Sequence, residues 1–273
     1  PVENVIEKFE QALQSYKAPK YKAKKRPTQD FAGIINIYDA HIDKVTILAE
    51  TGHDSDIHKN VEMFRKYFDE LLATVQDCEQ LIFPIGNDFF NVNDSTGTTK
   101  KGTKQATVVH HADAFEIGLH LLLECIDKAQ QVAPVFVPVI QGNHDTDIST
   151  LCGVSLNALY RGNKNVEINK SRLERKYKRY HNNLFGFNHG DKVQPGKLPL
   201  IMAQEEKLNW SNTEFRYFFL GHKHHKEEFQ FLRTKDAVGV QVRHLRAITQ
   251  DCHWNVQAGW IGAVKSAQSL KIS

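Results

Sequence analysis

The chain has little of the material that stabilises secreted or membrane-bound proteins. Its 273 residues include only four cysteines, which are far apart and form no Cys-x-x-Cys pair. No apolar run approaches the roughly 20 residues of a membrane-spanning helix, and the first residues lack the charged-then-apolar pattern of a secretion signal. We therefore expect a cytoplasmic protein with reduced thiols and no membrane partner.

The chain also lacks a strong charge of either sign, since its formal net charge is +3. Residues 1–30 hold seven Lys or Arg against four Asp or Glu, so this arm accounts for the whole excess and the remainder is formally neutral. A basic arm can contact nucleic acid or an acidic surface. The alternative is a solvated linker, which Pro19 and Pro27 favour because they bracket the basic run. Charge alone does not indicate a nucleic-acid enzyme.

The hydrophobic pattern divides the chain into an N-terminal segment, residues 1–30, and one domain, residues 31–273. The segment holds an amphipathic helix at 3–16 and the basic linker. In the domain, buried strands predicted at 31–38, 81–85 and 135–140 alternate with helices predicted at 58–78 and 113–132. After residue 165 the strand-like runs are short: 166–168, 176–181, 184–188, 215–220, 228–232 and 238–246. The pattern predicts an α/β layered fold with a second sheet and a hairpin turn at Asn182-Asn183.

Five short motifs supply most of the chemistry, and each falls where a predicted strand gives way to a loop. They are Asp39-Ala40-His41, Gly86-Asn87-Asp88, Gly142-Asn143-His144-Asp145, His189-Gly190-Asp191 and Gly221-His222-Lys223-His224. In α/β folds functional groups gather beyond the carboxyl ends of the strands. The carboxylates, imidazoles and one amide oxygen of these motifs form a ligand set that holds two divalent metals side by side. The sequence therefore predicts a two-metal centre.

In this order the motifs resemble those of the calcineurin-like metallophosphoesterase superfamily, over roughly residues 34–225. The resemblance implies a four-layer α/β/β/α sandwich of two mixed sheets flanked by helices. It implies a first metal bound by Asp39, His41, Asp88 and His224, and a second bound by Asp88, Asn143, His189 and His222. His144 matches the catalytic histidine of the family. Manganese is the commonest ion of the family, and iron, zinc or nickel also suits such a mixed site.

The chain departs from the family pattern at two positions. Asn87 stands where the family usually has glycine or no residue, and Asn tolerates left-handed backbone. The SbcD-like nuclease branch often has a histidine three residues after the bridging aspartate, and here that residue is Asn91. The stretches 87–103 and 243–260 resemble metallophosphoesterases of phages and prophages that are labelled DNA-repair exonucleases. The resemblance thus implies a phage-infected or prophage-carrying bacterial cell.

Several further residues are candidates for roles around this centre. We expect substrate contacts from Asn91, Lys100, Lys101, Lys104 and His225. Asp145, assigned with His144 to the catalytic group, either orients His144 or caps the following helix.

Two other features admit two interpretations each. The basic run Arg172, Arg175, Lys176, Lys178 and Arg179 has Tyr177 and Tyr180 interleaved. It is either a surface for a phosphate backbone and stacked bases or the exposed face of an edge strand. His253 and Trp254 lie in a tail that either folds over the site or packs against the body.

The resemblance implies a metal-dependent hydrolase that cleaves phosphodiester bonds with a metal-bridged hydroxide. The expected substrate is DNA or RNA, which makes the protein a nuclease. One alternative is a phosphoesterase with the same metals that acts on a small nucleotide, a cyclic nucleotide or a phosphoprotein. Another is a scaffold that keeps the fold to bind partners. Known scaffolds of the superfamily lose the catalytic histidine or several ligands, whereas this chain keeps them. The sequence does not indicate the oligomeric state.

Overall fold

The computed structural model describes residues 29–223, 233–237, 239–251, 253–257, 259, 262 and 264–273. The predicted helix at 3–16, the basic linker, the strand at 228–232 and the candidates His224 and His225 lie outside these residues. The division into segments 1–30 and 31–273 therefore stays a prediction. Within the described ranges, no helix is long and apolar enough to cross a bilayer.

Eleven strands form two mixed sheets in the described part of the chain. In chain order they are β1 (Ala32–Asn36), β2 (Gln80–Ile82), β3 (Ile85–Gly86), β4 (Val135–Ile140), β5 (Val166–Asn169), β6 (Lys176–Tyr180), β7 (Asn183–Asn188), β8 (Phe215–Leu220), β9 (Arg233–Ala237), β10 (Val240–His244) and β11 (Gln268–Ile272). The strands predicted at 135–140 and 215–220 have these bounds, and most of the others differ by one to three residues.

The first sheet contains β1 to β5 and β11. Its internal pairs are parallel, and β11 pairs antiparallel with β1 at the edge. Leu81 pairs with Val135 and Ile85 with Val139 in the same register, so β2 and β3 are two parts of one interrupted strand. The interruption includes Pro84, which has no N–H to donate to the ladder. This explains why the single strand predicted at 81–85 is divided.

The second sheet has the strand order β6-β7-β8-β10-β9. Its three central strands are parallel, and the edge strands β6 and β9 are antiparallel to their neighbours. Tyr180 pairs with Asn183, so the hairpin turns at His181 and Asn182. The predicted turn at Asn182-Asn183 is therefore wrong by one residue. His181 has the left-handed backbone, with φ of 46°, that such a tight turn requires.

Seven α-helices accompany the sheets in the described ranges. They are α1 (Leu48–Thr51), α2 (Ile57–Thr74), α3 (His111–Gln130), α4 (Thr146–Leu159), α5 (Leu198–Glu205), α6 (Lys207–Ser211) and α7 (His253–Gln257). The helices predicted at 58–78 and 113–132 are confirmed as α2 and α3. Asp56 begins α2 by accepting the Lys59 N–H at 3.0 Å, and the His110 ring begins α3 by accepting the Ala112 N–H at 3.2 Å.

Alternate side chains of each strand enter different layers, because successive residues of a strand point to opposite faces. The layer between the sheets joins first-sheet residues to second-sheet residues, namely Ile34, Ile82 and Phe136 to Phe185, Phe187 and Phe219. Helices α2 and α3 cover the outer face of the first sheet through Phe64, Phe68 and Leu122. Helix α5 covers the outer face of the second through Leu198 and Met202. The predicted four-layer α/β/β/α sandwich is thus confirmed.

One buried cation makes the stability of this fold depend on pH. Lys176, the first residue of β6, is 1% exposed, and its ammonium group donates to the Leu173 carbonyl. Burial lowers the pKa of Lys176 to about 8. Between that value and the ordinary lysine pKa of 10.5 the unfolded state binds more protons, so the free energy of unfolding rises with pH in this window.

We expect Lys176→Met to raise the free energy of unfolding at pH 7, by up to about 3 kcal/mol, because the substitution removes a buried charge. It should also remove the rise in stability between pH 8 and 10.5. Denaturant unfolding across this pH range measures both effects. The control is Lys178→Met on the same strand, where the lysine pairs with Glu167 at 2.7 Å. Identical pH profiles for wild type and Lys176→Met would contradict this account.

Candidate metal centre

The five motifs converge at one end of the two sheets. The first three follow β1, β3 and β4, and the last two follow β7 and β8. Main-chain hydrogen bonds join these loops beyond the strands. The Asp39 N–H donates to the Asn87 carbonyl at 2.9 Å, the His41 N–H donates to the Asp88 carbonyl at 3.0 Å, and the Gly221 N–H donates to the His189 carbonyl at 2.9 Å. Neighbouring strands therefore fix the relative positions of the motifs.

The backbone is strained where these side chains turn inward. In the described chain, six non-glycine residues have positive φ, and five belong to the motifs: Asp39, His41, Asn87, Asp88 and His222, with φ between 43° and 69°. Each such residue costs of order 1–3 kcal/mol, and strain of this kind clusters at functional sites. The surrounding hydrogen bonds and packing offset this local loss of stability.

Two glycines of the motifs stand where no side chain fits. A Cβ added to Gly142 would lie 1.9 Å from Oδ1 of Asp88, and one added to Gly86 would lie 2.0 Å from the Ile140 carbonyl oxygen. Gly86 also has φ of 79°, which favours glycine. The glycines thus allow the second and third motif loops to touch, and their contact brings Asp88 against the third motif.

The four residues assigned to the second metal lie together. Nε2 of His189 is 3.2 Å from Oδ2 of Asp88 and 2.9 Å from Oδ1 of Asn143. Possible ligand atoms of Asp88, His189 and His222 all lie within 4.8 Å of one another. Asp88 and His189 are both 1% exposed, so these groups are held away from bulk water.

Asp88 also belongs to a second group of possible ligands. Its carboxylate, His41 and His144 have ligand atoms within 4.8 Å of one another. The Asp39 carboxylate accepts the His222 N–H at 3.1 and 3.2 Å. Main-chain hydrogen bonds join the first motif to the second, so three of the four residues assigned to the first metal, Asp39, His41 and Asp88, lie in adjoining loops. His224 is outside the described residues. One carboxylate lies between two groups of donors, as a bridging ligand must.

Charge and burial act against each other at Asp88 and His189. Burial alone would raise the pKa of Asp88, but the nearby imidazoles, above all His189, lower that pKa overall. Burial alone would lower the pKa of His189, but the Asp88 carboxylate raises it to about 9. Nδ1 of His189 has no hydrogen-bond partner among the described residues.

This arrangement fits divalent cations. A proton on Nε2 of His189 occupies the point where oxygen atoms of Asp88 and Asn143 converge, and a cation there would replace it. Carboxylate, imidazole and amide donors suit manganese, iron, zinc or nickel. The donor set therefore passes a chemical test for a metal centre, although it does not distinguish among these ions.

His144 is fixed by its main chain and by its ring. Its N–H donates to Oδ1 of Asp88 at 2.8 Å, and its Nδ1 lies 3.0 Å from the Asn91 carbonyl oxygen. Because a carbonyl oxygen can only accept, Nδ1 carries the hydrogen and Nε2 is the nitrogen available to the centre. A main-chain oxygen of Asn91 thus contacts the catalytic candidate where the nuclease branch often has a histidine.

Asn91 itself is 1% exposed, and its side chain donates to the Ala106 carbonyl at 3.1 Å. This burial does not support the prediction that the Asn91 side chain contacts substrate. The side chain instead joins the first residue of the loop at 91–105 to Ala106, the residue that follows the loop.

Asp145 holds two motif loops together. Its carboxylate accepts the N–H of Gly142 at 3.0 Å, the N–H of Phe90 at 3.2 Å and the hydroxyl of Ser149 at 2.6 Å. It makes no side-chain cap to α4. Burial, with a smaller effect of Asp88, raises the pKa of Asp145 to about 7. Among these bonds none reaches His144, so Asp145 acts as a positioning residue for the loops.

The lysine-rich loop at 91–105 lies against the third motif. The Lys100 N–H donates to the Asn143 carbonyl at 3.2 Å, and the Lys100 ammonium pairs with Asp147 at 2.5 Å. Lys104 donates to the Thr96 carbonyl at 3.1 Å, and both Lys101 and Lys104 are exposed. The loop therefore places positive charge beside the centre, although Asp147 offsets part of it.

Two of the five cations in the basic run at 172–179 pair with acidic side chains. Arg175, together with Tyr177, binds Glu205, and Lys178 binds Glu167 at 2.7 Å. Lys176 is buried. These contacts favour the interpretation as an edge strand over a nucleic-acid surface.

The tail packs against the body. His253 in α7 lies 3.3 Å from the Glu50 carboxylate in α1, a contact that favours packing over covering of the site.

Sequence reasoning missed one buried carboxylate near the centre. Asp43 is 0% exposed and accepts the Asn91 N–H at 2.6 Å, and burial raises the pKa of Asp43 to about 6. The spacing offered a signal, because Asp39, His41 and Asp43 follow one another at every second residue.

Comparison with known proteins adds no relative. No protein-family model matches the chain, and no curated protein matches it significantly. The resemblance to calcineurin-like enzymes therefore depends on the motifs alone.

We expect Mn²⁺ to raise the unfolding temperature of chelator-treated protein, because a ligand that binds only the folded state stabilises it by about 2.7 kcal/mol per site at 100 times its Kd. Asp88→Asn should remove most of this effect, since Asp88 belongs to both donor groups. Thermal unfolding with and without Mn²⁺, together with the bound metal per chain, measures it. Asp191→Asn makes the same chemical change nearby and should respond like wild type. Equal stabilisation of Asp88→Asn would rule out the centre.

Proposed function

We propose that the chain is a two-metal phosphoesterase of the calcineurin-like type that hydrolyses phosphodiester bonds. The observation that carries the proposal is the position of Asp88. Its buried carboxylate belongs to two groups of possible donors, one with His189 and His222 and one with His41 and His144. Its Oδ1 also accepts the main-chain N–H of His144. Two bound divalent cations would supply the Lewis acidity that activates water and neutralises phosphate oxygens.

The side chains of this chain have separate tasks in such a reaction. The cations would be held by Asp39, His41, Asp88, Asn143, His189 and His222, together with His224. The Asn91 carbonyl keeps the hydrogen of His144 on Nδ1, so Nε2 is left for the reacting group. When Nε2 takes up a second proton, the resulting imidazolium would donate that proton to the leaving oxygen. Asp145 keeps the second and third loops in register.

We infer that the substrate is a nucleic acid. Exposed Lys101 and Lys104 lie in the loop that contacts the Asn143 turn, where neighbouring phosphates of a polynucleotide can approach them. Electrostatic contact with phosphates supplies much of the affinity of nucleic-acid enzymes. One observation favours the alternative, a small nucleotide, a cyclic nucleotide or a phosphoprotein. Lys100 is paired with Asp147, so the loop has less positive charge to offer.

A substrate panel distinguishes these proposals. Mn²⁺-loaded protein is offered single-stranded DNA, double-stranded DNA, RNA, a cyclic nucleotide, a phosphopeptide and a chromogenic phosphodiester. We expect cleavage of at least one polynucleotide, at a rate that falls as salt rises. Intact polynucleotides with a cleaved small substrate would favour the alternative. If every substrate stays intact with Mn²⁺, Fe²⁺, Zn²⁺ and Ni²⁺, the phosphoesterase proposal fails.

We expect His144→Ala to lower kcat by roughly 10²- to 10⁴-fold, the usual contribution of general acid–base catalysis. Bound metal per chain should stay unchanged, because the proposed role of His144 is proton transfer. Steady-state kinetics and metal analysis of the same preparation measure the two quantities. His58→Ala, on the exposed surface of α2, is the control and should keep full activity. Loss of metal in His144→Ala would instead identify His144 as a ligand.

A further inference from the structure

Asp43 is a buried carboxylate outside the five motifs, and it binds a residue, Asn91, that in turn contacts His144. Asp43 is 0% exposed, and its Oδ1 accepts the Asn91 N–H at 2.6 Å. Oδ2 of Asp43 has no hydrogen-bond partner among the described residues. Asp43 therefore contacts the loop after the second motif through its hydrogen bond with Asn91.

Asn91 donates its N–H to Asp43, and its carbonyl group contacts His144. The carbonyl oxygen lies 3.0 Å from Nδ1 of His144, and the Asn91 side chain is held by Ala106 at 3.1 Å. The preceding amide, that of Phe90, is held by Asp145 at 3.2 Å. The N–H groups of two consecutive residues, Phe90 and Asn91, thus donate to two different buried carboxylates.

Loss of the hydrogen bond between the Asn91 N–H and Asp43 would affect the ring of His144. A hydrogen bond to a charged acceptor is about twice as strong as a neutral one, and a buried N–H left without an acceptor costs about 1–3 kcal/mol. Without the Asp43 oxygen, the loop would shift to find another partner for the Asn91 N–H. The Asn91 carbonyl would then leave Nδ1 of His144.

We propose that Asp43 is a positioning residue that holds the Asn91 main chain so that its carbonyl fixes the orientation and tautomer of His144. The consequence for catalysis rests on the proposed function, because it requires His144 to exchange a proton with substrate. The consequence for the His144 ring does not depend on any activity.

A purely structural role for Asp43 predicts something different. In that case Asp43 would only fasten the loop after the first motif. Asn60 already fastens this loop, since its side chain donates to the Ile42 carbonyl at 3.0 Å and to the Lys44 carbonyl at 2.8 Å, on either side of Asp43. Asn60→Ala therefore removes support from the same loop without touching Asn91, which makes it the matched control.

The first measurement is the tautomer of His144 in metal-free protein, from heteronuclear spectra of histidine-labelled samples, with His144 assigned by its loss in His144→Gln. Wild type should show the hydrogen on Nδ1. Asp43→Ala should show a mixture of tautomers or a mobile ring. Asp43→Asn should resemble wild type, because its amide oxygen can still accept the Asn91 N–H, and Asn60→Ala should also resemble wild type.

The second measurement is steady-state kinetics on whichever phosphoester the wild-type enzyme cleaves. Asp43→Ala should lower kcat by about 10- to 100-fold, since displacing a reacting group by about 1 Å can cost 10²-fold. KM should stay within about twofold of wild type, because substrate is still held by the unchanged centre. Asp43→Asn should recover most of kcat, and Asn60→Ala should retain it despite lower thermal stability.

Three results would overturn the proposal: a wild-type tautomer in Asp43→Ala, a defect in Asp43→Asn as large as in Asp43→Ala, or an equal loss of kcat in Asn60→Ala. If Asp43→Ala does not fold, Asp43→Leu, which has a similar size and no acceptor, takes its place with the same expected tautomer change. The proposed function fails separately, when wild-type protein cleaves nothing. The tautomer measurement then still decides whether Asp43 positions His144.

Discussion

The arrangement of the centre depends on one buried carboxylate, that of Asp88. It contacts Nε2 of His189 and the main-chain N–H of His144, and it lies in both groups of possible ligands. An isolated charge in this position would be very unfavourable, because burial removes it from water. The neighbouring imidazoles offset that cost and keep the pKa of Asp88 low. A pair of cations at the same place would offset it further, as the proposed metal centre requires.

The two sheets make this arrangement possible. Parallel strands of both sheets end at the same edge, and the layer of aromatic and aliphatic side chains between them holds the two sets of loops at a fixed separation. Left-handed backbone at Asp39 and Asp88 then turns the carboxylates inward. Each strained residue costs stability, whereas apolar burial contributes roughly 25 cal/mol per Å². The strain is thus confined to the edge of a well-packed fold.

Much of the fold followed from periodicity. Strand β4 is a continuous apolar run that is buried on both faces, and helices α2 and α3 have apolar residues at helical spacing, so these patterns are visible in the sequence. The hairpin at His181 and Asn182 was displaced by one residue, since turn preference alone did not fix the register. The short helices at residues 198–211 were not predicted, because five to eight residues hold too few apolar positions for a periodic signal. The motifs also indicated the ligand candidates, but the role of Asp145 depended on an amide in another loop, that of Phe90, 55 residues away.

The sequence by itself determined which chemical groups are present and where strands end, because both are local properties of residue type and spacing. It therefore indicated a candidate set of ligands: Asp39, His41, Asp88, Asn143, His189, His222 and His224. Only the tertiary structure decided which groups touch. Contacts such as Asp43 with Asn91 and Asn91 with His144 join residues about 50 positions apart, and a main-chain carbonyl carries no signature in the residue that supplies it. For the same reason the pairing of Arg175 with Glu205 and of Lys178 with Glu167 became visible only in three dimensions.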